Sequence, residues 1–301
     1  MPSFWKICSI LAVGLTTPIY AHMRLFYPPP FAAENNPHRT DPPDERLDYP
    51  YNCCGEENTP FPCRGHLSLL GTDQGSPVAV WEAGSVQNFS LIGQGTHWGG
   101  SCQAGFSIDG GQSWKVVASY EGNCPHRDAG PADPAGQTFE FTVPADMPAG
   151  DHVFAWTWIN REQEFFMSCS PVTITRNDSA EDAPQSTGAT APSPTEEADE
   201  CISPDVTHPA HLHVGFPARR AHHPRSAPPR QPKSNPEPNP KRSAPVPFHE
   251  RPNFLVANIG NGCTTSQEAA EVKFPNPGPD VVEGDGEYPL ELPEPAEKCN
   301  P

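Results

Sequence analysis

The chain has 301 residues, a formal charge of −18, 41 prolines, 24 glycines and ten cysteines. That charge argues against a general nucleic-acid binder. Scarce helix signals beside so much Pro and Gly favour strands, turns and extended linkers.

Residues 1–21 read as a secretory signal peptide. Lys6 precedes the apolar run "ICSILAVGL", which is too short to span a bilayer, and Thr-Thr-Pro and the small Ala21 follow. Cleavage after Ala21 makes His22 the first residue of the mature protein. There is no second apolar run, and the ending "PEPAEKCNP" lacks the hydrophobic tail of a lipid-anchored protein. A free, secreted chain is expected, monomeric and with no membrane partner. Cys8 leaves with the leader. The nine that remain (Cys53, Cys54, Cys63, Cys102, Cys124, Cys169, Cys201, Cys263 and Cys299) read as disulfides in an oxidising compartment, with one left over.

Residues 23–75 are rich in Pro, Asn and Cys and predict long irregular loops. From about Val78 to Thr175 the pattern turns to short strands. "NFSLIG" alternates, and "AGFSIDGGQSWKVVASY" reads as a hairpin around Asp-Gly-Gly. "TFEFTV", "DHVFAWTW" and "SPVTIT" follow, separated by turn residues. The fold class expected is all-β: an immunoglobulin/fibronectin-like β-sandwich over residues 22–175, with long disulfide-stapled loops. Composition breaks at Arg176. Residues 176–251 are first acidic, then basic and rich in Pro and His, which predicts a disordered linker. The linker carries dibasic pairs at Arg219-Arg220 and Lys241-Arg242 that are candidate processing sites. Its cluster of His208, His211, His213, His222 and His223 is either solvated or a metal store. Residues 252–301 regain apolar character as a C-terminal tail, expected to pack on the β domain through a disulfide. Asn88-Phe-Ser90 and Asn177-Asp-Ser179 are N-glycosylation acceptors.

A terminal His22 supplies an amine and a ring nitrogen from one residue. The best third donor is His97, in the Gly-rich loop "GQGTHWGGSCQAGF". On its own His97 is an ordinary loop histidine; its pairing with an N-terminal histidine makes it a candidate ligand. Three nitrogens suit copper, with zinc the rival. In "NREQEFFMSCSPVTIT", read as a strand, Glu162, Glu164 and Phe166 share one face. A carboxylate there positions dioxygen or peroxide, and the ring of Phe166 blocks an axial position. The bland alternative is a core Phe166 with solvated glutamates.

Taken together, "HMRLFYPPPF", "THWGGSCQ", "FAWTWIN" and "REQEFFMSCSPVTIT" resemble the fungal lytic polysaccharide monooxygenases of auxiliary activity family 11, whose characterised members cleave chitin. "NFLVANIGNGCTT" and "VKFPNPGPDVV" resemble segments after the sandwich in that family. The resemblance implies one copper held in a histidine brace by His22 and His97, with Glu164 as the nearby carboxylate. It implies oxidative cleavage of an insoluble polysaccharide, with an external electron donor reducing Cu(II) and hydrogen abstracted from C1 or C4. Phe166 stands where the family usually has a tyrosine, so any role of that hydroxyl is missing. Trp98 and Tyr27 are candidate substrate contacts. Cys63–Cys169 and Cys102–Cys124 are the pairings expected, and Cys53 or Cys54 is expected to reach Cys263. The alternative is a non-catalytic copper-binding or cell-wall-binding protein on the same scaffold.

Overall fold

The computed structural model describes residues 22–51, 59–176 and 246–299. The leader, Cys53, Cys54, Asn177, Cys201, the dibasic pairs and the His208–His223 cluster lie outside them. The described strands are β1 (Met23–Tyr27), β2 (Ala79–Glu82), β3 (Val86–Gly93), β4 (Ser101–Ser107), β5 (Lys115–Glu121), β6 (Thr138–Thr142), β7 (Gly150–Ile159), β8 (Phe165–Thr175), β9 (Glu271–Val272), β10 (Val281–Glu283) and β11 (Leu290–Glu291). One antiparallel sheet has the order β1-β3-β6. A mixed six-stranded sheet runs β10-β5-β4-β7-β8-β2, with parallel pairs at both edges.

The alternation of β7 feeds two cores. Phe154, Trp156 and Trp158 join Phe166, Val172 and Ile174 of β8 and meet Leu25, Phe89, Leu91 and Phe141 of the smaller sheet. Val153, Ala155 and Ile159, with Phe165, Met167 and Cys169, face the other way. That second face is covered by Phe31, Tyr51 and Cys63 from the N-terminal loops and by Phe254, Leu255, Val272 and Phe274 from the C-terminal segment. Sheets buried on both faces carry near-continuous apolar runs, as in "VFAWTWI" and "FFMSCSPVTI". Each fully buried Phe or Leu contributes about 1.5–3 kcal/mol relative to exposure.

Three expectations are corrected. The first strand, β1, lies inside the stretch read as irregular. Five residues before a Pro run give too short a pattern to recognise, yet Met23, Arg24 and Leu25 pair with Gly93, Ile92 and Leu91. The C-terminal segment packs on the core by residue 248, ahead of the expected 252: Phe248, in a short 3-10 turn, is buried and packs edge-on against Phe106. Cys263 bonds Cys299, not Cys53 or Cys54. An antiparallel bridge between Thr264 and Glu294 draws the two ends of that segment together. Among the described residues the segment is therefore held by packing, by pairing of β10 along β5 and by polar contacts such as that of Glu271 with Gly100. Two further disulfides among the described residues are Cys63–Cys169 and Cys102–Cys124, as expected.

The β4–β5 hairpin is built around Asp109. Its carboxylate accepts hydrogen bonds from the Ser107 hydroxyl (2.7 Å), the amides of Gln112 and Ser113 (2.9 Å each) and the Ser113 hydroxyl (2.6 Å). Burial pushes this carboxyl up, but those bonds outweigh it and hold its pKa at about 2.

Candidate metal centre

Strand pairing fixes His22. Its carbonyl oxygen accepts a hydrogen bond from Gln94 N at 2.8 Å, just past β3. A Cβ on Gly93 would lie 1.9 Å from that oxygen, so only glycine permits the approach. The His22 ring is buried, with its centroid 4.4 Å from Tyr49, 6.3 Å from Phe166 and 6.4 Å from His97. Burial lowers its pKa, Asp48 opposes this, and His97 adds to the lowering.

His97 arrives by a different device. Thr96 and Ser101 bracket four consecutive residues with positive φ: His97 (46°), Trp98 (60°), Gly99 (102°) and Gly100 (119°). Left-handed backbone is costly for His and Trp and persists only when its surroundings over-determine it. They do so here. Trp158 Nε1 donates to Gly99 O at 3.0 Å, Glu271 accepts from Gly100 N at 2.8 Å, and Arg127 donates to Trp98 O. The His97 side chain is buried, while the Trp98 ring beside it is 68% exposed.

Two carboxylates flank the His97 ring. Glu162 Oε1 is 3.1 Å from Nδ1, and Glu164 Oε2 is 3.3 Å from Nε2 but out of line for a hydrogen bond. His97, Glu162 and Glu164 offer ligand atoms within 4.8 Å of one another. Burial raises the pKa of Glu164. His97 and a hydrogen bond from Asn160 pull it down, and Glu162 pushes it up again.

The strand reading of these glutamates is corrected. Both precede β8, in a turn organised by Asn160. Asn160 Oδ1 accepts from the amides of Glu162 and Glu164 at 2.9 Å, and its Nδ2 donates to Glu164 Oε2 at 2.6 Å. A compact turn brings both carboxylates to His97, so Glu162 is not a strand period away from it. Phe166 does lie on β8, buried under both imidazoles and stacked on Trp158 at 4.4 Å.

Tyr27 is not brought to this group. It stands at the far end of β1, packs on the shared core and accepts a hydrogen bond from Trp81 Nε1 at 3.4 Å. Asn88 is exposed on β3, opposite Glu140. Sequence reasoning missed Tyr49, Asn160, Arg127 and Glu271. Each acts through a ring contact or a backbone N–H or C=O group, which leaves no periodic pattern to read.

The donor set fits copper. Two buried imidazoles converge, and among the described residues His97 Nε2 has no hydrogen-bond partner, as a nitrogen available to a metal requires.

No family model matches the chain. Among curated proteins, the AA11 family lytic polysaccharide monooxygenase A of Aspergillus fumigatus is 33% identical over 174 residues, covering 55% of this chain and 71% of its own length. The chain belongs to the AA11 family of lytic polysaccharide monooxygenases. Two further AA11 proteins agree. Monooxygenase B of Aspergillus fumigatus is 29% identical over 282 residues, 89% of this chain and 50% of its own. A relative from Aspergillus oryzae is 28% identical over 242 residues, 77% and 43%. The chain thus spans half or less of the length of those two AA11 relatives. Among solved structures, a cellulose-active polysaccharide monooxygenase from M. thermophila overlaps with a TM-score of 0.26 at 12% identity, over 32% of this chain and 53% of its own. HiLPMO9B overlaps at 0.27 and 18%, over 38% and 58%. Both overlaps are too small to bear on this AA11 chain.

Proposed function

We propose that this chain is a secreted, copper-dependent lytic monooxygenase that cleaves β-1,4 linkages of an insoluble polysaccharide, chitin first. Its scaffold reads as an immunoglobulin/fibronectin-like β-sandwich. The observation that carries the reading is the convergence of His22 and His97 at 6.4 Å over Phe166 in a chain of the AA11 family. His22, with its amine freed by removal of residues 1–21, and His97 through Nε2 would hold one copper ion. Copper bound there supplies one-electron redox chemistry and activates dioxygen or peroxide, with an external donor providing the electrons.

The protein's own residues do the rest. Phe166 and Trp158 close one side of the site against water. Glu164 stands at His97 Nε2 with a pKa raised by burial, so its carboxyl holds a proton more readily than a solvated glutamate and can pass one at the site. Asn160 keeps that carboxylate aimed. Trp98, exposed next to His97, gives a sugar ring a stacking surface.

The test starts with the secreted N-terminus. Mass analysis should find His22 first, and copper titration should give one tight site. A chain that keeps Ala21 should bind copper far more weakly; equal affinity removes the brace. Incubation with α- and β-chitin, ascorbate and copper should release oxidised chito-oligosaccharides. Tight copper binding without such products on either chitin points to the non-catalytic alternative.

A further inference from the structure

Glu271 is the least expected member of the group around His97. It lies on β9 in the C-terminal segment, 171 residues after Gly100, and is 2% exposed. A buried carboxylate is tolerated only when fully matched, and this one is. Oε1 accepts hydrogen bonds from Gly100 N (2.8 Å), Asn123 N (3.1 Å) and Arg127 Nη2 (3.0 Å), and Oε2 lies 3.3 Å from the same Nη2. The backbone leaves room for nothing else. A Cβ on Gly99 would fall 2.6 Å from Oε1, and one on Gly122 would fall 2.7 Å from Oε2.

The second half of the clamp is Arg127. It binds Asp285 through Nε (2.8 Å) and Nη2 (2.9 Å), packs over Tyr288 and donates to Trp98 O. The same segment also grips the turn that carries Glu162 and Glu164. Arg161 stacks on Tyr288 at 3.5 Å and donates to Glu268 O, and Gln163 donates to Thr265 O.

We propose that Glu271 is a positioning residue of the metal centre: a carboxylate from the C-terminal segment that fixes the left-handed His97–Gly100 run, and with it the aim of the His97 ring. The proposal rests on reading His97 as a ligand. Its action is through backbone, since Glu271 touches neither imidazole. Without it, Gly99 and Gly100 lose the anchor that holds them at φ 102° and 119°, and His97 samples other directions.

The experiment uses the full secreted chain as Glu271→Gln, Glu271→Ala and Phe254→Ala. Phe254 lies in the same segment but stacks on Trp114, away from the His97 loop, so it reports loss of packing alone. Two quantities are read: amide exchange over residues 96–101 in the metal-free protein, and the Cu(II) affinity and electron paramagnetic resonance spectrum after loading. Glu271→Ala should speed exchange at Gly100 at least tenfold, weaken copper ~10–100-fold as loss of a supporting partner does, and change the spectrum. Glu271→Gln should fall between it and the parent, and it carries both readouts should Glu271→Ala fail to fold. Phe254→Ala should lower the melting temperature without moving either. Unchanged exchange and spectrum in a folded Glu271 variant overturn the proposal, as do equal changes in Phe254→Ala. If the parent binds no copper, the proposed function falls, while exchange over 96–101 still decides what Glu271 holds.

Discussion

His22 and His97 reach the same place from opposite kinds of structure. His22 directly precedes β1, whose first three residues pair in register with β3, and a single close approach at Gly93 completes its support. His97 sits on a loop that no ladder holds. Its four left-handed residues depend on Trp158, Arg127 and Glu271, side chains from three separate parts of the chain. Regular pairing spreads its support over many equivalent bonds, whereas the loop concentrates it in a few polar contacts. The His97 side should therefore be the more sensitive to single substitutions at a distance.

The largest effect is expected at the ring itself. His97→Ala should weaken Cu(II) binding by more than ~100-fold, beyond the range for lost supporting partners, and abolish release of oxidised products; calorimetric titration and product analysis check both. Next comes the loop backbone. A Cβ on Gly100 meets Ile159 O at 2.5 Å and Trp158 Nε1 at 2.6 Å, with φ at 119°. Gly100→Ala should cost ~2–4 kcal/mol in denaturant unfolding, from strain and overpacking together. If Gly100→Ala is neutral in unfolding and leaves copper affinity unchanged, the asymmetry between the two histidines is wrong.

Asn160→Ala should follow at about 1 kcal/mol, from loss of hydrogen bonds to two part-buried amides, with turnover falling as Glu164 loses its hydrogen bond. Glu164→Gln should keep copper affinity within a few fold and slow turnover at least tenfold, about 1.4 kcal/mol. Glu162→Gln should shift copper affinity a few fold through Nδ1 and slow turnover less. A larger loss of turnover at Glu162 would transfer the proton role to it.

The smallest effect lies at the hairpin tip, away from both histidines. The Asp109 pKa is held at about 2, below the ordinary value of ~3.9. Its contribution to stability is complete above that ordinary value and disappears as pH falls through about 2. Asp109→Asn should flatten that acid limb of the stability curve and leave copper affinity unchanged.

Legibility in the sequence follows the same division. Strands β3 to β8 are readable because alternation and turn residues mark them. The pairing of His22 with His97, and Phe166 beneath them, is readable as a set of motifs in order. The β1 strand is too short to announce itself. Glu162 and Glu164 are visible as residues, but their placement on an Asn160-organised turn is not, because Asn160 acts through two backbone amides. Glu271 is the extreme case: a lone acid in a Pro-rich segment whose chief partner is a glycine amide 171 residues earlier.

That separation has a consequence in time. A ribosome adding ~5–20 residues per second reaches Glu271 roughly ten to thirty seconds after Gly100. Throughout that interval both histidines have been made, but the hydrogen bond from Gly100 to Glu271 cannot form. The Gly100 end of the His97 loop gains this anchor only once residue 271 has been synthesised. Synthesis of the C-terminal segment is thus a checkpoint on the site, and a chain truncated before residue 246 keeps both histidines but lacks the carboxylate that anchors the loop of the second.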